Sequence, residues 1–233
     1  MVSHAAFASL LPGIEVVNDS DMAERVAQKL YELTADEAVF SIVFSGGQIA
    51  PRVLEVFVRN FLGGRRLTVI SADERITPNI SATNARLLRD ALVSGGAADT
   101  VRLLVPTQGV SLAESAEDFG AEVRKAPVVV AAVVGVGTDG HIASLFPSVT
   151  THTVGVADMV TNAPSPFPQR ISLSMDFLRA IPLRMVALAG KEKVVVLGAL
   201  ADGKPLPVAR VDPTHTFVSE DAVIAFATAG AKS

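Results

Sequence analysis

The densest chemistry in the chain lies in Gly135-Val136-Gly137-Thr138-Asp139-Gly140-His141. An imidazole titrates near neutral pH and can take a proton from water, and a nearby carboxylate can fix its tautomer. His141 is therefore the candidate general base, with Asp139 as its candidate partner and Gly140 loosening the loop between them. His152 and His215 lack comparable settings, and His4 falls in a stretch expected to be loosely ordered. The segment also spells GxGxxG after an apolar run, the pattern of a dinucleotide-binding turn. Pro147 interrupts the helix that such a turn must open, and Asp158, the nearest acidic residue for a ribose, is poorly placed. A nicotinamide cofactor is not expected.

Three further segments carry charge or glycine at similar junctions. Ser45-Gly46-Gly47-Gln48 is a tight turn between an apolar run and a helical pattern. Its glycines allow close backbone approach, and the following helix offers free N–H groups and a positive dipole end, as a phosphate cradle requires. An ordinary strand-to-helix turn explains the tetrapeptide equally well, and without a GK[ST] ending ATP is not expected. Asp73-Glu74-Arg75 supplies two carboxylates and a guanidinium to orient a catalytic group or to hold phosphate or sugar hydroxyls; alone, it reads more readily as a solvated charge cluster. Arg170, and Lys193 within Gly190-Lys191-Glu192-Lys193, are cations suited to a phosphate dianion, although each taken singly is an ordinary surface charge.

These segments need a scaffold that brings them together. Apolar, β-branched runs recur at Ile14–Val17, Phe40–Phe44, Leu67–Ser71, Val101–Leu104, Val128–Val134, Arg170–Ser174, Met185–Ala189 and His215–Val218. Helical patterns fill the intervals at Asp19–Leu33, Ile49–Phe61, Ala82–Val93, Leu112–Val123 and Lys191–Leu200, with Asp19 or Ser20 as the expected cap of the first. Strands alternating with helices predict βαβ units and a parallel sheet, whose ligands bind beyond the carboxyl ends of the strands. Each polar segment follows a run, so one convergent site is expected.

Composition narrows the function classes. The chain has 233 residues, 49% of them hydrophobic and 19% charged, no Trp and one Tyr, so its core is aliphatic, as in a helix-covered parallel sheet. A net charge of −4 argues against a nucleic-acid surface. The absence of cysteine excludes disulfides, thiol catalysis and Cys-ligated zinc. No basic n-region opens the sequence, and the longest apolar stretch, Pro127–Val136, falls far short of a membrane span, so a cytoplasmic protein without membrane partners is expected. No linker divides residues 1–233, which are expected to form one domain after a loosely ordered Met1–Gly13.

In this order the segments resemble the 6-phosphogluconolactonase family, within the wider group of glucosamine-6-phosphate deaminases and ribose-5-phosphate isomerases. The carrying stretches are SGG at Ser45–Gly47, DER at Asp73–Arg75 with Asn84 downstream, VGVGTDGHIASLFP at Val134–Pro147, PQRISLSMDFL at Pro168–Leu178, AGKEK at Ala189–Lys193 and LPVARV at Leu206–Val211. The resemblance implies a Rossmann-like, mostly parallel α/β sheet and hydrolysis of 6-phospho-D-glucono-1,5-lactone to 6-phosphogluconate in the oxidative pentose phosphate pathway, without metal or cofactor. It implies His141 as the base that activates water and Asp139 beside it. Gly46 and Gly47 would approach the ligand, and Arg75, Arg170 and Lys193 would hold its phosphate. The chain departs from the family pattern at SGGQIAP, where a Thr is absent and Pro51 comes one place late, and in a short stretch after DER. A deaminase of the same fold would show DGHIAFNEP and DEY where this chain has DGHIASLFP and DER. A phosphosugar-sensing domain of a regulator would carry a DNA-binding helix-turn-helix ahead of the sensor, and only Met1–Gly13 precedes the first predicted strand.

Overall fold

The computed structural model describes residues 7 and 9–230. In chain order the elements are β1 (Ile14–Val17), α1 (Met22–Thr34), β2 (Val39–Phe44), α2 (Ile49–Asn60), β3 (Arg66–Ser71), β4 (Asp73–Arg75), α3 (Asn84–Ser94), β5 (Arg102–Leu104), α4 (Leu112–Lys125) and β6 (Val129–Gly135). There follow β7 (His152–Val154), β8 (Ala157–Val160), β9 (Arg170–Leu173), α5 (Met175–Ala180), β10 (Leu183–Leu188), α6 (Val194–Ala201), α7 (Pro207–Arg210), β11 (His215–Ser219) and α8 (Glu220–Gly230). Seven strands form a wholly parallel sheet in the order β1-β11-β10-β6-β2-β3-β5.

The parallel sheet forms because its strands are apolar on both faces and helices cover both. Along β2, Phe40, Ile42 and Phe44 face a core shared with Val26, Leu30, Leu54 and Phe57 of α1 and α2. Val43 faces the opposite core, with Ile70, Val134, Val186, Phe119 of α4 and Ala222 of α8. This two-residue alternation is what a doubly covered strand requires. Helix α1 buries Met22, Ala23, Val26, Ala27, Leu30 and Thr34, one stripe at helical spacing.

The predicted strands of the parallel sheet are present with ends shifted by a residue or two, with one change of place. Arg170–Leu173, expected among the parallel strands, belongs to a second, antiparallel sheet in the order β4-β9-β8-β7. Its Ile171 and Leu173 still point into the main core. Apolar alternation reports burial but not strand direction, which explains the change. The second sheet springs from the end of β3: Ala72 donates to the Phe44 carbonyl and accepts from the Leu173 amide at 2.7 Å. It thereby lays Asp73 and Arg75 over the carboxyl edge of the parallel strands. The first helix also starts later than expected, with Asp21 at the cap position and no side-chain cap. Asp19 instead accepts a hydrogen bond from the Gly190 amide at 3.3 Å, pinning a loop at the opposite end of the sequence. Within Met1–Gly13, residues 1–6 and 8 lie outside the described residues, while Phe7 and Leu11 are buried and Phe7 packs on Phe226.

Strand order reverses between β2 and β6: the chain leaves β2 toward β3 and β5, and leaves β6 toward β10 and β11. At such a switch point the two following loops part and leave a crevice. No helix among the described residues is long and apolar enough to cross a membrane.

One arginine ties down the opposite end of two helices. Arg65 donates to the carbonyls of Thr34 (2.7 Å), Phe61 (2.6 Å) and Leu62 (3.2 Å), at or just past the C-terminal ends of α1 and α2, and lies over the Tyr31, Phe40 and Phe57 rings. Replacing it by methionine keeps the stem but leaves the Phe61 carbonyl without this donor and takes the second bond from the Thr34 and Leu62 carbonyls, which also accept the Glu37 and Arg65 amides. The expected cost is about 1–3 kcal/mol. In urea denaturation the midpoint of Arg65→Met should fall with an unchanged slope, and Arg65→Lys, a point charge without the planar fork, should restore little of it.

Candidate active site

The crevice at the switch point opens between the loops after β2 and β6. Ser45 ties them together: its amide donates to the Val133 carbonyl at 3.2 Å, and its hydroxyl accepts from the Gly135 amide at 3.0 Å. Gly47 turns the chain with a φ of 81°, and α2 then begins at Ile49 with no side-chain cap from Gln48. The first-turn N–H groups of α2, and the positive end of its dipole, therefore face the crevice free of a capping side chain. Gly46 has no room for a side chain, since a Cβ there would sit 2.0 Å from Oδ1 of Asn84.

The loop after β6 folds back on itself instead of opening a helix. The Gly137 amide donates to the His141 carbonyl at 2.9 Å and the Gly140 amide to the Gly137 carbonyl at 3.0 Å. The next element is the strand β7, so the literal GxGxxG does not have the helix that a dinucleotide turn requires. Within this loop Asp139 Oδ1 lies 2.5 Å from Nδ1 of His141 and accepts the His141 amide at 3.1 Å. Burial pushes the Asp139 carboxyl upward, but the hydrogen bonds and charge of His141 outweigh it and hold it below the usual range. An ionised Asp139 can only accept, so Nδ1 of His141 keeps its proton and donates to it, which leaves Nε2 as the ring's acceptor. The ring lies so close over Gly137 that a Cβ there would come within 2.1 Å of it. His141 lines the crevice, and Asp139 stands behind it. Gly140, expected at the ligand, is turned away: it packs on Leu206, and its carbonyl accepts from the Val208 amide at 3.1 Å.

On β4, alternation separates the three charged residues. Asp73 and Arg75 face the crevice, and Glu74 points to the other side. Asp73 is buried, its carboxylate accepting Asn84 Nδ2 at 3.0 Å and the Ser144 hydroxyl at 2.6 Å. Glu74, expected to touch the ligand, is fully buried and accepts the amides of Arg75, Asn84 and Ala85, each at 2.7 Å. Its carboxyl caps the first turn of α3 beside the Thr83 hydroxyl, which accepts from the Arg86 amide at 3.2 Å, and so sets Asn84 against Gly46 and Asp73.

Three cations complete the crevice. Arg75 and Arg170 are directly paired residues of β4 and β9. Arg75 donates to the Ala82 carbonyl at 2.7 Å and lies over the Phe167 ring. Arg170 donates Nε–H to the Phe167 carbonyl at 3.0 Å and lies over Phe146. Among the described residues neither guanidinium has an ion-pair partner. Burial pulls the Arg170 pKa below its usual range; nearby Asp73 raises it and Arg75 lowers it. Lys193 reaches the crevice from the short 3-10 turn after Gly190, its Nζ 3.0 Å from Glu192. Two adjacent guanidiniums and an ammonium, underserved by carboxylates and facing a helix N-terminus, form a seat for a dianion.

The crevice thus gathers Ser45, Gly46, Gly47, Asp73, Arg75, His141, Arg170 and Lys193, and leaves Glu74, Asp139 and Gly140 behind its wall. Sequence reasoning missed Ser144, Phe146 and Phe167 as supports; the first two lie within the DGHIASLFP string, which was their only signal.

The family described as glucosamine-6-phosphate isomerases/6-phosphogluconolactonase matches residues 18–221. A 6-phosphogluconolactonase of Pseudomonas aeruginosa is 32% identical over 198 residues, 80% of this chain and 83% of that protein. The Homo sapiens 6-phosphogluconolactonase is 30% identical over 163 residues, 65% and 63% of the two chains. The crystal structure of 6-phosphogluconolactonase from Thermotoga maritima matches with a TM-score of 0.75 at 21% identity, covering 89% of this chain and 98% of that one, a likeness of fold.

The cap at Glu74 has a pH signature. Burial raises its carboxyl above the ordinary 4.5, backbone hydrogen bonds from Ala85, Asn84 and Arg75 partly offset this, and Asp73 raises it further. A raised folded pKa means that the group's stabilisation is full below the unfolded value and is lost as pH rises through the folded one. Glu74→Gln turns one acceptor into a donor among three amides and should cost about 1–3 kcal/mol. In urea titrations across pH, its deficit against wild-type should shrink as pH rises above the ordinary carboxylate range. A deficit that grows with pH would contradict the raised carboxyl.

Proposed function

The chain belongs to the glucosamine-6-phosphate isomerase and 6-phosphogluconolactonase family, and we propose that it acts there as the lactonase, hydrolysing 6-phospho-D-glucono-1,5-lactone to 6-phosphogluconate. The observation that carries this reading is one crevice holding both a carboxylate-oriented imidazole and a pair of guanidiniums that have no ion-pair partner among the described residues. A phosphorylated lactone has the two matching ends: a dianion to bind and an activated ester carbonyl to attack.

The phosphate sits on Arg75, Arg170 and Lys193, beside the free N–H groups at the start of α2. This grip on the remote end supplies binding energy that orients the reacting carbonyl. Nε2 of His141 takes a proton from water as its oxygen attacks the lactone carbon. Asp139 holds the Nδ1 proton and stabilises the imidazolium that forms. As the tetrahedral intermediate collapses, the carbon–oxygen bond of the ring breaks and the imidazolium returns its proton to the leaving ring oxygen. Water is consumed, one C–O bond forms and one breaks, and the new carboxylic acid ionises. No redox partner enters. The substrate chemistry fits the oxidative pentose phosphate pathway in the cytoplasm, with a small phosphosugar lactone as the ligand.

Lactones open slowly without a catalyst, so the assay measures acceleration above that background, with freshly generated lactone and 6-phosphogluconate read through its dehydrogenase. His141→Ala should lower kcat by about 10²–10⁴-fold. Asp139→Asn, which frees the tautomer, should lower kcat about tenfold or more with little change in KM. Equal turnover by folded His141→Ala and wild-type protein would remove His141 as the base.

A further inference from the structure

We propose that Phe146 is a positioning residue shared by both halves of the site, one ring setting the plane of the His141 imidazole and that of the Arg170 guanidinium. The inference deepens the lactonase reading and rests on it for the roles of those two residues.

The His141 and Phe146 ring centroids lie 4.5 Å apart with planes tilted by 44°. The Arg170 guanidinium carbon lies 5.3 Å from the same centroid, within the range of a cation–π contact. Phe146 is only 7% exposed and is anchored in a small satellite core with Val160 of β8 and Ala163. The loop after β6 and the strand β9 thus meet on one fixed ring.

Each partner needs such a surface because its other tie leaves one rotation free. Asp139 holds His141 through the single atom Nδ1, which leaves the tilt of the imidazole to what packs on its ring. The Nε–H bond of Arg170 to the Phe167 carbonyl fixes one edge of the guanidinium and leaves its fork to swing. One ring in contact with both groups restricts both. It also presents a π-cloud to the imidazolium that forms when His141 accepts its proton.

A merely structural Phe146 would lower stability and leave the two functions uncoupled, which separates the readings. The full chain is compared as wild-type, Phe146→Leu, Phe146→Tyr, Arg170→Met and the Phe146→Leu/Arg170→Met double variant. Calorimetry gives the affinity for inorganic phosphate, turnover of the fresh lactone gives kcat and KM, and ¹⁵N spectra of the His141 ring give its tautomer. Phe146→Leu should weaken phosphate binding on the order of 3- to 30-fold, a loss that largely vanishes in the Arg170→Met background. It should also raise KM, lower kcat and broaden or mix the His141 ring signals, and Phe146→Tyr, which keeps the ring, should recover most of each loss. If the leucine variant fails to fold, Phe146→Met, which refills the satellite core with a flexible chain, carries the same comparison. Wild-type phosphate affinity and wild-type His141 ring signals in a folded Phe146→Leu protein would overturn the proposal. So would a phosphate loss fully additive with Arg170→Met, or wild-type protein that binds no phosphate. Wild-type protein that fails to accelerate lactone opening overturns the lactonase reading instead, while phosphate binding and ring spectra still decide the role of Phe146.

Discussion

Two guanidiniums held at paired positions of β4 and β9, without ion-pair partners among the described residues, set the terms for the rest of this structure. Like charges side by side repel, and removing them from water costs more still. Backbone carbonyls of Ala82 and Phe167, the faces of Phe167 and Phe146, and the field of Asp73 offset part of that cost. Under the proposed function a bound phosphate dianion supplies the rest.

The remaining architecture keeps that arrangement in register with the base. The antiparallel sheet grows from the end of β3 and carries both arginines above the switch point, where the loop of His141 emerges from β6. Glu74 caps α3 from beneath, Asn84 then braces Gly46 and Asp73, and Ser144 closes on the other carboxylate oxygen of Asp73. These buried hydrogen bonds, with the close packing of Asn84 on Gly46, join the loops after β2, β3 and β6. Asp19 adds a tether from the first loop to Gly190, ahead of Lys193.

Much of the parallel sheet was legible because a doubly covered strand is a plain apolar run. The second sheet was not: β4 is three charged residues, and β7 and β8 are short segments that exist by pairing with neighbours. The same blind spot produced the error at Glu74. Had Asp73-Glu74-Arg75 been read as a strand, the two-residue alternation would have put Asp73 and Arg75 on one face and Glu74 on the other. Gly140 misled differently, since glycine beside a histidine suggests ligand approach, whereas its φ of 83° serves packing on Leu206. Phe146 and Phe167 carry no chemical signature, and only tertiary structure brings them to the arginines.

The central claim is that Arg75 and Arg170 recognise the phosphate at the far end of the molecule that His141 hydrolyses. It is tested most directly by the ratio of kcat/KM for 6-phosphogluconolactone to that for unphosphorylated glucono-1,5-lactone, measured in wild-type protein and in the Arg75→Met/Arg170→Met double variant. The account expects a large ratio in wild-type that collapses toward one in the double variant, with the slow reaction of the unphosphorylated lactone left nearly unchanged. A ratio that survives loss of both guanidiniums would place phosphate recognition elsewhere and contradict the account.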